Sequence, residues 1–157
     1  MSVFDAFTNS AKLSELCERL RNGCKTIGAL AIKTSSDPDA KTTAAVVFEI
    51  AGKLYSLGAQ GTLDLSALCA GTIANGATKG VFLFVNAAGT VTGQLVAADS
   101  SGNIACPDHA TSLVCFGSIK IANASGSAFT VGTTALDTSN VTVTYKNHGC
   151  LLPGDTI

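Results

Sequence analysis

The chain has 157 residues, a length typical of one domain, and its formal net charge is −1 at pH 7. Because affinity for nucleic-acid phosphates depends on an excess of Lys and Arg, this balance argues against a nucleic-acid-binding protein. No apolar run approaches the roughly 18 residues of a membrane-spanning helix, and no secretory pattern opens the chain. We therefore expect synthesis in the cytoplasm and no membrane partner.

Charged residues make up 13% of the chain, against about 25% in an average soluble domain. A small domain with so few charges has two ways to cover its surface. It buries part of that surface against copies of itself or a larger assembly, or it presents neutral polar side chains. Composition leaves both alternatives open.

The first 25 residues differ from the rest and predict an N-terminal amphipathic helix. Apolar side chains recur at a helical period, and the glutamates and arginines between positions 15 and 21 form a charged face. The pair Asn22-Gly23 predicts the end of the helix. This segment either packs on its own domain or forms an arm that docks on identical helices or on a scaffold, and the arm is favoured. The side chains expected to make the arm contact are Phe4, Phe7, Leu13, Leu16 and Leu20.

Residues 26–157 predict one β domain, because short apolar segments alternate with turn residues. The pattern is typical of an antiparallel β-sandwich or barrel rather than of alternating β-α units. The region 58–75 is open between a short helix and an irregular edge, and the tail from residue 149 is expected to carry little structure. The predicted strands are 26–33, 45–50, 54–57, 81–86, 90–96, 113–123, 128–131 and 141–145.

The segment 81–85 is apolar on both faces. Such a strand is either central in a sandwich or buried by a neighbouring subunit. Phe82 and Phe84 in this segment, together with Phe129, are therefore candidates for the core or for a subunit interface.

The inventory of reactive residues predicts neither a metal site nor a cofactor. The six cysteines are expected to be mostly reduced, buried thiols. A zinc site is a weaker alternative, since the spacing matches no zinc finger or ribbon. A cysteine nucleophile needs a histidine close in space, which the sequence cannot show. The residues that would supply such sites are Cys106, His109, Cys115, His148 and Cys150.

Five stretches, taken in order, resemble small virion proteins of tailed bacteriophages, of the head-decoration, cement or head-fibre type. The block 128–137 is the most specific, and the hairpin 85–92 is weaker. The stretches are GKLY (52–55), VNAAGTVT (85–92), SIKI (118–121), AFTVGTTALD (128–137) and VTVTY (141–145).

The resemblance implies a β-rich capsid decoration protein without catalytic residues or cofactor, displayed on the exterior of the virion. It implies two partners: identical chains, in a homotrimer, and the major capsid protein. Synthesis would take place in the cytoplasm of a bacterial host. Two other classes stay open: a tail or fibre component that binds a receptor or glycan, and a small cysteine- or metal-dependent enzyme.

Overall fold

The computed structural model describes the backbone from residue 3 to 157 and the side chains from residue 10 onward. It confirms a mainly β chain with antiparallel sheets, preceded by an N-terminal helix. The elements in chain order are α1 (Val3–Arg21), β1 (Gly23–Cys24), β2 (Leu30–Ile32), β3 (Ala40–Thr42), β4 (Val46–Ile50), β5 (Lys53–Leu57), α2 (Leu65–Cys69), β6 (Gly71–Ile73), β7 (Thr78–Asn86), β8 (Val91–Ala97), β9 (Leu113–Asn123), β10 (Phe129–Val131) and β11 (Val141–Asn147).

Four of the longer strands form the central sheet, in the order β11-β9-β7-β8 with every neighbouring pair antiparallel. Val81 of β7 lies opposite Ile119 of β9 and Leu95 of β8. The register between β7 and β9 shifts at Leu83 and Phe84, where a bulge bends the ladder. The central position of β7 explains why its sequence is apolar on both faces.

One face of the central sheet packs on the smaller sheet β1-β4-β5 in a sandwich-like arrangement. Val81, Leu83 and Val85 share a buried cluster with Phe48 of β4, whose ring stacks on that of Tyr55 at 5.7 Å. This face contains most of the core, and its burial is the main hydrophobic contribution to folding.

The other face of the sheet is covered by the segment between β8 and β9 and by the C-terminal tail. Phe82 and Phe84 pack there with Ile104, Cys106 and Cys115, and Ile157 packs against the same cluster. Backbone hydrogen bonds join the two covering segments, from Cys106 to Asp155 at 2.7 Å and from Ile157 to Ile104 at 3.0 Å. The tail from residue 149 forms no helix or strand, as predicted, but these hydrogen bonds fix its position on the sheet.

The predicted strand 26–33 is wrong as a single element. Ala29 has a φ of 51°, outside the extended region, and only Leu30–Ile32 continues as β2. In the open region 58–75, Asp64 caps the short helix α2 by accepting from the backbone of Ala67, and β6 then pairs with β10. The sequence did not predict β1, β3 or β6, because none of these short strands forms a run of apolar residues like the one that identified β10. The hairpin glycines Gly52 and Gly89 take the left-handed conformation, with φ of 79° and 77°.

Candidate functional site

Helix α1 ends at the predicted position. The backbone nitrogen of Asn22 makes the last helical hydrogen bond, to Glu18 at 3.0 Å, and Arg19 and Arg21 occupy the last turn. Basic side chains there interact favourably with the negative end of the helix dipole. The helix therefore stops where the chain enters β1.

The last turn of α1 is also where the helix is attached to the β domain. Arg19 makes ion pairs with Glu15 at 2.8 Å and with Asp108 at 3.1 Å. Asn22 is buried and donates to the carbonyl of Thr111, while its side-chain oxygen accepts from Ala51. These contacts hold the C-terminal end of the helix, which we call its foot, against the β4–β5 turn and the segment before β9.

Beyond this foot the helix extends into solvent. Every side chain from Ser10 to Glu18 is exposed. Leu13 is 61% exposed, Leu16 45% and Leu20 57%, and these three leucines share one helix face because they are three and four residues apart. We call them the leucine face. An exposed leucine row of this kind gains free energy when another apolar surface covers it.

An open groove runs along the base of the leucine face. It has a volume of about 330 Å³ and lies between α1 and the C-terminal tail. Leu16 and Arg19 line one side, and Leu152 and Pro153 line the other. The groove therefore separates the helix from the tail, and the three leucines stay exposed beside it.

The residues that the sequence analysis proposed for contacts with other chains fall into an exposed group and a buried group. Leu13, Leu16 and Leu20 are exposed, and the side chains of Phe4 and Phe7 lie outside the described residues. The remaining three aromatic residues are not available to a partner, which corrects their assignment as contact residues. Their exposed fractions are 0% for Phe82, 2% for Phe84 and 1% for Phe129, and their own chain covers them.

The possible zinc ligands fall into separate places. Cys106, His109 and Cys115 lie together beside the second face of the central sheet, whereas His148 Nε2 is 2.8 Å from Ser118 Oγ. Among the side chains that the structure describes, no group of three His, Cys, Asp or Glu residues is placed to hold a metal ion. The sequence spacing brought out Cys106 and His109 but gave no sign that Cys115 contacts them.

The residues that attach the arm were missed by sequence reasoning. Asn22 was interpreted only as a helix stop, and Arg19 only as part of a charged face. Their partners Thr111 and Asp108 lie 89 positions away in both cases. No local pattern identifies contacts across such a separation.

Comparison of the chain with protein-family models, with curated proteins and with solved structures finds no match in any of the three. Within the described residues, neither helix combines the length and the apolar character required to cross a bilayer.

Proposed function

We propose that this chain is a non-enzymatic structural protein of a tailed bacteriophage, a capsid decoration protein that acts as a homotrimer. The observation that carries the proposal is the exposed leucine face of α1: among the described side chains of the helix, those of its last turn make the attachment to the β domain. The class of protein comes from the resemblance of the five stretches between residues 52 and 145 to virion proteins of tailed bacteriophages.

The leucine face is best matched by the same face of identical chains. Leu13, Leu16 and Leu20 follow the alternating spacing of three and four residues that defines the a and d positions of a coiled coil. The ion pair between Glu15 and Arg19 lies within one helix and leaves the leucines clear of charge. Packing three such helices together buries the leucines and gives the charge-poor chain a shared surface.

A trimer stabilises a capsid by mass action. A protein that binds the assembled shell and not the free subunits adds its binding free energy to the stability of the shell. Three linked binding surfaces on one trimer make a modest affinity per site into a tight attachment through avidity. The major capsid protein is the proposed partner, and no catalytic group or cofactor is required.

The first experiment measures the solution mass of the purified chain by light scattering after gel filtration in reducing buffer. We expect a trimer for the wild-type chain and a monomer for the triple variant Leu13→Glu, Leu16→Glu, Leu20→Glu. The matched control is Ile27→Glu with Leu54→Glu, because these side chains are 61% and 66% exposed on the β domain. The control variant should remain a trimer. A monomeric mass for the wild-type chain would contradict the proposal that it acts as a homotrimer.

Attachment to the particle is tested by co-sedimentation with empty heads purified from a phage mutant that lacks this chain. Wild-type protein should sediment with the heads, and the triple variant should lose at least about tenfold in affinity as its avidity disappears. Failure of the wild-type protein to bind heads would overturn the capsid role. Binding to host cells or to purified glycans instead would assign the chain to the tail or fibre.

A further inference from the structure

Two cysteines from different parts of the chain meet inside the cluster on the second face of the central sheet. Cys106 lies between β8 and β9, and Cys115 lies in β9 opposite Phe84 of β7. Both residues are nearly fully buried and belong to one small cluster of buried side chains. The Cys106 thiol donates to the carbonyl of Pro107 and the Cys115 thiol to the carbonyl of Gly117, each at 3.6 Å, and each thiol shifts the pKa of the other. Two cysteines packed in one cluster are candidates for a disulfide, because the bond requires their Cβ atoms to lie close together.

His109 completes the cluster and separates it from solvent. Its Nδ1 donates to the carbonyl oxygen of Pro107 at 3.1 Å, and its ring centroid lies 4.8 Å from that of Phe84. The histidine lines both an open groove of about 340 Å³ and a small cavity of about 10 Å³, and Cys115 lines that cavity as well. His109 and Leu113 line both spaces, so these two side chains lie between an oxidant in the groove and the cavity that Cys115 lines.

The surroundings give the two thiols different proton affinities. Hydrogen bonds from Cys115 and His109 lower the pKa of Cys106 to about 6, against the opposing effects of burial and of Asp155. The hydrogen bond to Cys106 and burial raise the pKa of Cys115. The pKa of His109 is raised mainly by its hydrogen bond with Cys106, although burial and, to a smaller extent, Arg19 of α1 oppose this. The cluster thus combines a nucleophilic thiolate with a protonated thiol beside it.

From this geometry we infer that Cys106 and Cys115 form a reversible dithiol–disulfide pair whose oxidant is a small peroxide. The Cys106 thiolate attacks one oxygen of hydrogen peroxide, the O–O bond breaks, and the departing hydroxide takes up a proton to become water. The resulting sulfenic acid is attacked by the sulfur of Cys115, which forms the S–S bond. The sulfenic hydroxyl leaves with the Cys115 proton as a second water, so two thiols and one peroxide give one disulfide and two waters. A small thiol reverses the reaction by exchange.

The bond would change how firmly the second covering layer is held. Cys106 accepts from Gly154 and donates to Asp155 through its backbone, so it is already paired to the C-terminal tail. A disulfide to Cys115 would attach the segment between β8 and β9 covalently to the central sheet, and the hydrogen bonds of Cys106 would hold the tail against that segment. Constraining the unfolded chain in this way raises stability. This inference does not depend on the capsid role.

The test begins with reduced full-length protein from which the reductant has been removed. It is treated with hydrogen peroxide and then with an alkylating agent, and is digested with a protease that cleaves before Asp. Such cleavage separates Cys106, in the peptide 99–107, from Cys115, in the peptide 108–136. We expect these two peptides to be joined and to separate again after dithiothreitol. We also expect Tm to rise by about 5 °C on oxidation.

The matched variants are Cys106→Ala and Cys115→Ala, which should abolish the Tm rise, and Cys69→Ala, which should retain it. Cys69 is also buried but lies in α2, away from the cluster. His109→Gln should slow disulfide formation at neutral pH by about tenfold, since it removes a group that stabilises the thiolate. The peptide analysis on the wild-type chain remains decisive if a variant does not fold. Joined peptides from any other pair of cysteines, or peroxide treatment that leaves both thiols free to alkylate, would overturn the inference.

Discussion

Asn22 Nδ2 donates a hydrogen bond of 2.6 Å to the carbonyl oxygen of Thr111, across 89 positions of the sequence. The side-chain oxygen of the same residue accepts from the backbone nitrogen of Ala51 at 2.9 Å. One buried amide therefore joins the end of α1 to two loops of the β domain. The direction in which the exposed part of the helix leaves the domain depends on this side chain.

Replacing Asn22 by Ala should lower the free energy of unfolding by about 1–3 kcal/mol, because the substitution removes both part-buried hydrogen bonds and leaves the backbone nitrogen of Ala51 and the carbonyl of Thr111 without this partner. Urea unfolding measures the loss. The control is Asn103→Ala in the exposed loop after β8, which should cost less than about 0.5 kcal/mol. Equal effects of the two substitutions would contradict the role given to Asn22.

A substitution at Phe82 tests whether the aromatic residues of β7 lie in the core of one chain or at a subunit interface. Phe82→Ala should cost about 3–5 kcal/mol, as expected for a large side chain removed from a packed interior. The cost should be the same at low and high protein concentration, because the chain's own covering segments bury this residue. A loss that grows with dilution would instead place Phe82 at a subunit interface. Leu54→Ala, at an exposed position, is the control.

Gly132 lies in the block 128–137 and has a φ of 73°. A Cβ at this position would overlap the backbone of Ser66 in α2, which cannot move without disturbing the helix. Gly102 has a φ of 82° but open space around it, so it is a matched control. We expect Gly102→Ala to cost about 1 kcal/mol from backbone strain alone, and Gly132→Ala to cost at least about 2 kcal/mol more. Thermal unfolding of both variants measures the difference, and similar Tm values would show that α2 moves aside freely.

The carboxyl group of Asp137 should account for part of the loss of folding stability at acidic pH. Hydrogen bonds from the backbone of Ser36 and the hydroxyl of Ser35 hold the pKa of this carboxyl below its ordinary 3.8. Since the folded pKa is the lower one, the contribution to stability is fully present above pH 3.8 and is lost as pH falls through the folded value. Asp137→Asn should therefore lower the urea midpoint at pH 7 and reduce its fall between pH 7 and about pH 3.

Ser35→Ala is the companion to this variant. It removes only the hydroxyl donor and keeps the larger backbone contribution, so it should retain most of the acid dependence. A steeper fall in stability for Asp137→Asn than for the wild-type chain would contradict the sign of the linkage.

The strands that were predicted well are those whose information is local. The segment 113–123 matches β9, and 45–50 matches β4 within one residue. In both, a long apolar pattern is bounded by turn residues, so neighbouring positions suffice to identify the strand. The same holds for α1, whose end at Asn22 is set by the chemistry of adjacent residues.

The candidate site was predictable only in part. The leucines of α1 were identified by their spacing, but their exposure depends on whether any other segment folds back over them. The contact between Cys106 and Cys115 depends on the path of the segment after β8, which the C-terminal tail holds in place. Neither fact has a signature in nearby residues.

The sequence by itself determined that the chain is mainly β, that a helix precedes the sheets, and where the hairpins turn, because periodicity and turn chemistry act over a few residues. Only the tertiary structure decided that β7 is buried by its own chain, that the tail is a covering layer, and that the leucine face is left open. These features arise from packing between segments distant in sequence, where shape and burial select the partners and no local preference specifies them.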